Sequence, residues 1–265
     1  HPVFDPAFGY LFNSYYETLG PRHDRPSRGL LTRPSLEEVL RYRRHVDAAL
    51  ASVPPGANVA ALVELGLQHE QQHQELILMD VKHLLSRNPL KPAYTAPADA
   101  PDRLARQDGP LAYREHPPGI YEIGHDPAHG GFSFDNEGPR HRVYLESFAL
   151  AQRLVSNAEY RDFIRDGGYE RPQLWLSDGW ALAQQEGWTR PLYWAESLDS
   201  QFTLGGMTAL DPAAPVCHVS FYEADAFARW AGARLPTEAE WEAASDSFAW
   251  GEVWEHTGSA YLPYP

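Results

Sequence analysis

Two histidines four residues apart, His69 and His73, are the side chains whose type and spacing point most directly to chemistry. In a helix this spacing places both imidazoles on one face, one turn apart, with Gln72 beside them. Two neutral imidazoles at that separation can bind one metal ion through a ring nitrogen each. The sequence therefore predicts a helix that carries two ligands of a metal site.

The helical pattern that contains the two histidines runs from about Asn58 to Ser86. Apolar residues recur on the histidine face, which predicts that this face points to the interior of the protein. They are Leu62, Leu65 and Leu76. Gly66 costs helix propensity, so we expect another element to approach the helix there. An inward-facing imidazole needs a polar partner, and a metal ion is one such partner.

The same stretch also spells His-Glu-Gln-Gln-His, which matches the H-E-x-x-H pattern of zinc proteases. In that interpretation Glu70 is the general base that acts on a zinc-bound water. It needs a third ligand downstream and a strand beside the substrate cleft, and the sequence offers no clear candidate for either. A surface pair or a satisfied core pair of histidines is the non-functional alternative.

Residues 1–34 combine aromatic residues with Pro, Gly and Arg, which predicts a structured loop rather than a helix. Within it, Arg22, Arg25 and Arg28 could hold a carboxylate by bidentate contacts. A solvated basic turn is the alternative. Tyr15 and Tyr16 are packing residues by default, since aromatic side chains usually pack in a core.

Composition excludes several classes of partner. The net charge of -14 argues against nucleic acid and anionic membranes, because both attract basic surfaces. A single cysteine, Cys217, rules out an intrachain disulfide and fits a reducing compartment. No apolar run is long enough to cross a bilayer and no signal peptide is visible, so we expect a cytoplasmic protein. The chain starts at His1 and ends in mid-pattern at Pro265, so we expect it to be an internal piece of a longer protein.

The periodicity predicts two domains. A capping box of Ser35 and Glu38 begins a first helix, which residues 54–56 break before the histidine helix. Two antiparallel helices joined by a short turn indicate part of a helical bundle. The Pro-, Ala- and Asp-rich residues 92–118 follow as a linker. The predicted organisation is therefore a partial helical bundle at 1–91, a linker at 92–118 and a second domain at 119–265 that is truncated at its C-terminus.

The second domain has the pattern of an α+β fold. Residues 119–124 and 141–150 alternate like strands. Three capping boxes predict three short helices, with Gly167 and Gly232 where two of them end. The boxes pair Ser156 with Glu159, Ser220 with Glu223, and Thr237 with Glu240. Between the first two helices, the tryptophan-rich residues 170–215 predict a long irregular region that is functional or wraps a core. Cys217 is predicted to be buried and inert.

These motifs resemble two known families. The segment 215–242, which contains Ala-Gly-Ala-Arg-Leu-Pro-Thr-Glu-Ala-Glu-Trp, resembles the formylglycine-generating-enzyme (sulfatase-modifying) domain. Residues 119–126 and 137–143 are similar to the start of that domain. The first domain, through residues 12–17, 22–25 and the histidine helix, resembles the metal-binding, DinB-like helical bundle of hercynine oxygenases. The resemblance implies an α+β chain in which such a bundle precedes a C-type-lectin-like formylglycine-type domain.

Hercynine oxygenases are the sulfoxide synthases of ergothioneine biosynthesis. The resemblance implies a non-haem iron(II) enzyme that uses O2 to couple the thiol of cysteine or γ-glutamylcysteine to hercynine and to oxidise the sulfur. It implies that His69 and His73 are two of three histidine ligands to Fe(II), with the third expected upstream of residue 1. Three neutral ligands leave the full charge of the ion to bind a thiolate, and leave positions open for substrates.

The resemblance also implies roles for substrate-binding residues. Gln72 would form a hydrogen bond with the hercynine imidazole, and Arg22 and Arg25 would hold a carboxylate of the thiol substrate. Tyr15 or Tyr16 would stand near the oxygen-binding position and donate a proton or orient water. The implied partners are therefore small molecules, namely hercynine, a thiol and O2.

Other functions remain open at this point. Selenoneine synthases, which use a selenosugar, share the architecture, and an HExxH-type zinc hydrolase and a non-catalytic lectin-like binding module are further alternatives. The sequence does not choose between sulfur and selenium or between thiols, and it does not give the oligomeric state. His256 stands where the family has a tryptophan, which leaves the packing after Trp241 open.

Overall fold

The computed structural model describes residues 2–13, 20–54, 56–100 and 104–265. The α-helices in these residues are α1 (Phe8–Leu11), α2 (Leu36–Ala51), α3 (Ala57–Arg87), α4 (Asn157–Arg165), α5 (Ser177–Glu186), α6 (Phe221–Trp230) and α7 (Glu238–Ala244). The strands are β1 (Tyr113–His116), β2 (Gly119–Ile123), β3 (His141–Leu145), β4 (Phe148–Ala151), β5 (Ser200–Thr203) and β6 (Gly206–Ala209). Short 3-10 helices lie at Arg25–Leu30, Pro97–Asp99, Pro127–His129, Asp135–Glu137, Gly168–Glu170, Pro172–Leu174 and Ser245–Ser247.

The two predicted N-terminal helices are confirmed as separate elements. Ser35 begins α2 through the predicted capping box, because its hydroxyl accepts from Glu38 N and Glu38 Oε2 accepts from Ser35 N. The histidine helix α3 extends one residue beyond the predicted pattern at each end. Residues 1–34, predicted as a loop, also contain the short helix α1, whose Phe8 ring packs edge-on against Tyr42 at 5.0 Å. Aromatic packing therefore overrides the local density of helix breakers.

Two compact units, His1–Glu70 and Gln71–Pro265, make up the chain, and the division falls inside α3. The predicted helical bundle is not confirmed. In α2 no residue is buried, and its apolar Leu36, Val46 and Leu50 are exposed. The sequence periodicity predicts which face of a helix is apolar but does not say what covers that face.

Three two-stranded antiparallel sheets give the second domain its regular structure: β1 with β4, β2 with β3, and β5 with β6. The predicted strand at 119–124 is confirmed as β2. The predicted strand at 141–150 divides into β3 and β4, which pair with different partners. The region 170–215, predicted to be irregular, also contains α5 and the β5–β6 hairpin.

Part of the predicted linker 92–118 is ordered against the second domain. Its last residues form β1, which pairs with β4. The backbone N–H groups of Tyr94 and Thr95 both donate to the carbonyl of Leu204, at 2.8 and 3.2 Å. The predicted domain boundaries stay a prediction. The sequence pattern did not indicate the strand at 113–116, because its pairing partner lies far away in sequence.

The core of the second domain lies under its three capped helices. All three predicted capping boxes form, and Gly167 and Gly232 adopt the positive φ that ends a helix. The core cluster is dominated by aromatic side chains, with Tyr160, Phe163 and Phe227 at its centre. Trp175 and Trp194 of the 170–215 region are buried in it. Of the two predicted roles for this region, function or wrapping a core, the second is therefore seen.

In the described residues, no helix combines the length and the apolar character needed to cross a membrane. Cys217, predicted to be buried, is half-exposed with its thiol 3.7 Å from the carbonyl of Pro215.

Candidate functional site

One continuous helix, α3, carries the two histidines of the predicted metal site. The described backbone is helical at His69, Gln72 and His73, so the four-residue spacing places both imidazoles on one face. His69 is half-buried, whereas Gln72 and His73 are exposed. The helix thus carries the two imidazoles and the amide on one face, with the side chains of Gln72 and His73 exposed.

The predicted burial of the histidine face was wrong. Leu62, Leu65 and Leu76 are all exposed. A Cβ built on Gly66 meets no atom of the described residues within 4 Å, so the predicted approach of another element is not seen there. An apolar stripe and a helical glycine are both compatible with an open surface.

Within the part of the chain that the structure describes, no third metal ligand is found beside this pair. No cluster of three or more His, Cys, Asp and Glu side chains that could hold a metal ion occurs in residues 2–13, 20–54, 56–100 and 104–265. The two imidazoles fit a metal ion as donors of suitable type and spacing, and they supply two of the three protein ligands that an open catalytic site needs.

The predicted carboxylate site falls in the Arg-rich turn. Arg22 is exposed, and Arg25 begins the 3-10 helix Arg25–Leu30. Between them the His23 ring lies tilted against that of Tyr10 with centroids 5.4 Å apart, and its Nδ1 lies 3.2 Å from the Tyr10 hydroxyl. Tyr15 and Tyr16, the predicted proton donors, lie outside the described residues.

A group of contacts that the sequence did not predict ties the C-terminal half of α3 to the second domain. The Lys82 ammonium lies 2.8 Å from Nε2 of His218 and 5.1 Å from the centroid of the Tyr193 ring. The next residue, His83, has its Nδ1 3.3 Å from the Tyr193 hydroxyl. All of these residues belong to the 71–265 unit. Lys82 is only 6% exposed, so its ammonium is surrounded by protein groups, these neighbours among them, rather than by bulk water.

Two of these residues have an unusual backbone. Tyr193 and His218 adopt φ values of 74° and 60°, in the left-handed region that residues with a Cβ rarely enter. Their rings meet edge to face with centroids 4.8 Å apart, and burial raises the pKa of the Tyr193 hydroxyl. Local sequence gave one signal for this group, a Lys-His pair that continues the histidine helix, but the distant partners were not predictable from spacing.

A second contact joins α3 to the C-terminal segment. The indole Nε1 of Trp254 donates to Glu75 Oε1 at 2.5 Å. Nearby, His256 places Nε2 3.1 Å from the carbonyl of Val219. Packing after Trp241, which the sequence left open, is formed, because the Trp241 indole donates to Glu255 Oε2 at 2.9 Å. Burial raises the pKa of Glu255.

Buried acidic groups with raised pKa values lie in the core of the second domain. Glu223 is 5% exposed, and burial raises its pKa against the opposing hydrogen bonds from Ser220 and Tyr169. The Tyr169 hydroxyl donates to Glu223 at 2.5 Å and lies 3.2 Å from the Tyr160 hydroxyl. Because the same carboxylate closes the capping box of α6, this chain of hydrogen bonds has a structural explanation.

A cavity of about 360 Å³ lies elsewhere in the second domain, between the β1–β4 sheet and α6. Its lining is mainly apolar and includes Phe148, Val216 and Phe227. None of its lining residues belongs to α3.

Comparison with known proteins places this chain in a family. Residues 104–263 match the sulfatase-modifying factor enzyme 1-like domain. Over 91% of the chain, the protein is 34% identical to the hercynine oxygenase of Mycolicibacterium thermoresistibile and 39% identical to that of Mycobacterium tuberculosis. Over 71% of the chain it is 38% identical to the hercynine oxygenase of Mycolicibacterium smegmatis.

These alignments cover 52%, 55% and 42% of the three relatives, so the chain spans about half the length of the curated relatives it matches. The resemblance predicted from the sequence is confirmed. The chain belongs to the hercynine oxygenase family of proteins with a sulfatase-modifying factor enzyme 1-like domain.

Proposed function

We propose that this chain is part of a non-haem iron(II), O2-dependent sulfoxide synthase that joins hercynine to cysteine or γ-glutamylcysteine in ergothioneine biosynthesis. The observation that carries the proposal is the similarity to hercynine oxygenases over 91% of the chain. The two histidines one turn apart on α3 support it, because they are suitable metal ligands. The protein acts on small molecules in this proposal, and a cytoplasmic location is part of it.

The proposed reaction balances with one molecule of O2. Forming the C–S bond from a thiol and the imidazole C–H releases two electrons and two protons, and oxidising the sulfur to the sulfoxide releases two further electrons. One oxygen atom ends on sulfur, and the other leaves as water with the two protons. The four electrons that O2 accepts therefore equal the four that the two substrates supply.

His69 and His73 would hold the iron through their ring nitrogens, with a third ligand from outside the described residues. The ion would supply a positive charge that favours the thiolate form of the sulfur substrate and open positions for the thiolate and O2. A DinB-like bundle that includes α2 and α3 would position this half of the site. The exposure of His73 is consistent with access for substrates.

Four further residues would bind substrate or move a proton. Gln72 lies next to His73 on α3, so its amide can donate to or accept from the hercynine imidazole. Arg22 and Arg25 would bind the carboxylate of the thiol substrate, since a guanidinium offers two parallel donors. Tyr15 or Tyr16 would donate a proton or orient water, because a phenol stays neutral at physiological pH.

The direct test is reconstitution of the full-length protein with iron(II) in the absence of oxygen. Addition of O2, hercynine and a thiol is expected to give O2 uptake and a C–S-bonded sulfoxide. Absence of both would refute the proposal. A selenosugar that outcompetes cysteine would assign a selenoneine synthase, and peptide cleavage that depends on Glu70 and zinc but not on O2 would assign a hydrolase.

The metal ligands have a separate test. His73→Ala is expected to weaken the binding of cobalt(II), followed by its visible absorption, by about 100-fold or more, because it removes a ligand rather than a supporting residue. Gln74→Ala, at an exposed neighbouring position of the same helix, is the matched control and should bind cobalt(II) like the wild type. Equal affinities for the wild type and His73→Ala would exclude His73 as a ligand.

A further inference from the structure

Lys82 is a buried lysine whose ammonium lies within hydrogen-bond distance of an imidazole. Its ammonium can only donate, so His218 must accept through Nε2 and carry its proton on Nδ1. The contact therefore selects one tautomer of His218, and it joins residues 136 positions apart in sequence.

The partners of Lys82 are themselves held in place. The backbone N–H of Leu192 donates to the carbonyl of His218 at 3.1 Å, and that of Phe202 donates to the carbonyl of Tyr193 at 2.9 Å. The positive φ of both Tyr193 and His218 costs free energy that the surrounding contacts must offset. A strained, hydrogen-bonded platform of this kind fixes the position at which the ammonium can bind.

The identity of the cation also points to a specific fit. Lys82 and Lys91 are the lysines of this chain, whose other twenty basic residues are arginines. An ammonium is a compact point charge, whereas a guanidinium is planar and wider, so the two are not interchangeable in a closed site. A lysine between an imidazole and the face of a phenol ring suits the compact ion.

The position of these contacts on α3 relates them to the histidine site. Lys82 follows His73 by nine residues, which at about 100° per residue places it on the opposite side of the helix. Glu75, which accepts from the Trp254 indole, is seven residues before Lys82 and lies on nearly the same side. The second domain thus holds the back of the helix segment 71–87 at two points, one near each end.

We propose that Lys82 is a positioning residue, which through its hydrogen bond to His218 holds the helix segment 71–87 against the second domain and so fixes His73 and Gln72 for ligand binding. The role toward the metal rests on the proposed function. Lys82 acts through the helix and does not touch the metal or the substrates in this scheme. The positive φ of His218 and Tyr193 places their rings where the Lys82 ammonium contacts both.

Amide hydrogen exchange of the metal-free full-length protein tests the contact. Lys82→Met keeps the length of the side chain but removes the donor, and it should speed exchange across residues 71–87 by about tenfold or more. Arg87→Met removes a charge from an exposed position of the same helix and should leave this exchange unchanged. Unchanged exchange in Lys82→Met, or an equal rise in Arg87→Met, would overturn the proposal.

The His218 side of the contact provides a second pair of variants, which decides the matter if Lys82→Met does not fold. His218→Gln retains an acceptor for the ammonium and should behave like the wild type, whereas His218→Leu should reproduce the effect of Lys82→Met. The double variant with Lys82→Met and His218→Leu should exchange its amide hydrogens little faster than either single variant, because both changes remove the same hydrogen bond. Equal behaviour of the Gln and Leu variants would overturn the proposal.

Cobalt(II) binding separates this proposal from the proposed function. Lys82→Met should weaken cobalt(II) binding by about threefold to tenfold relative to Arg87→Met, which is less than the loss of a ligand. Faster exchange with unchanged affinity would refute the role of Lys82 toward the site while the metal site itself stands. A wild-type protein that binds no cobalt(II) would refute the metal site and the role together, whatever the exchange shows.

Discussion

At the scale of single residues, the carboxylates of this protein divide by the partners that they meet. Glu240 accepts two hydrogen bonds from Arg234, at 2.6 and 2.7 Å, and a third from Thr237 N at 2.8 Å. These partners lower the pKa of Glu240, the Arg234 hydrogen bonds most, although burial opposes them. Glu223 instead accepts from the Tyr169 hydroxyl and from Ser220 N, and burial raises its pKa. The capping boxes of α6 and α7 are similar, but the pKa values of their glutamates shift in opposite directions.

The lowered pKa of Glu240 predicts how stability depends on pH. A carboxyl whose pKa is lower in the folded than in the unfolded protein adds stability above its unfolded pKa, and that stability is lost as the pH falls through the folded value. Glu240→Gln should therefore reduce the free energy of unfolding at pH 7 by about 2 kcal/mol. The difference from the wild type should shrink progressively below about pH 4.5.

Denaturant unfolding of the two proteins between pH 3 and 7 checks this, with the exposed Glu252→Gln as the control. A difference that grows as the pH falls would contradict the assigned direction of the shift.

At the scale of elements, helix-to-helix packing is set by small residues that the sequence pattern does not single out. A Cβ on Gly179 of α5 would lie 2.5 Å from the ring of Tyr222 on α6, so the two helices pack through this glycine. By contrast, Gly66 of α3 has no described atom within 4 Å of its Cβ position. The same residue type is therefore a packing requirement in one helix and only a loss of helix propensity in the other.

Alanine substitution at the two glycines should have opposite effects. Gly179→Ala is expected to lower the free energy of unfolding by about 1–3 kcal/mol, because the methyl group forces α5 and α6 apart. Gly66→Ala should raise it by up to about 1 kcal/mol through helix propensity alone. Denaturant unfolding gives both changes in the free energy of unfolding, with the dependence of that free energy on denaturant concentration expected to be the same in each variant. A Gly179→Ala variant as stable as the wild type would show that the α5–α6 packing described here is wrong.

At the scale of the whole molecule, the segment predicted as a linker is in part an ordered component of the 71–265 unit. Tyr94 and Thr95 bind the backbone of Leu204, and β1 extends the β4 strand into a sheet. Gly205 packs directly on this segment, since a Cβ there would lie 2.7 Å from the Cα of Pro97. The chain therefore enters the second domain before residue 119, consistent with a family match that begins at residue 104.

This packing predicts a local response to Gly205→Ala. The added methyl group should push residues 92–100 away from the β5–β6 hairpin and speed their amide exchange by about tenfold, with α4 unchanged. Gly258→Ala is the matched control, because its Cβ would keep ordinary contacts of 3.6 Å and longer. Wild-type exchange at residues 92–100 in Gly205→Ala would mean that this segment does not pack on the hairpin.

The sequence by itself determined the features that depend on residues within about four positions of each other. The capping boxes, the extent of α3 and the shared face of His69 and His73 all followed from local spacing. The family followed from the resemblance of longer segments to known proteins. Local hydrogen bonds and helical geometry fix such features wherever the segment lies in the fold.

Only the tertiary structure decided which surfaces are covered and which distant residues meet. The structure shows that the histidine face is exposed. It also brings together residues that no spacing rule relates, namely β1 with β4 and Lys82 with His218. Periodicity states that a helix has an apolar side, but the packing of the whole chain determines what that side contacts. For the same reason the burial of Lys82 was not predictable from the sequence.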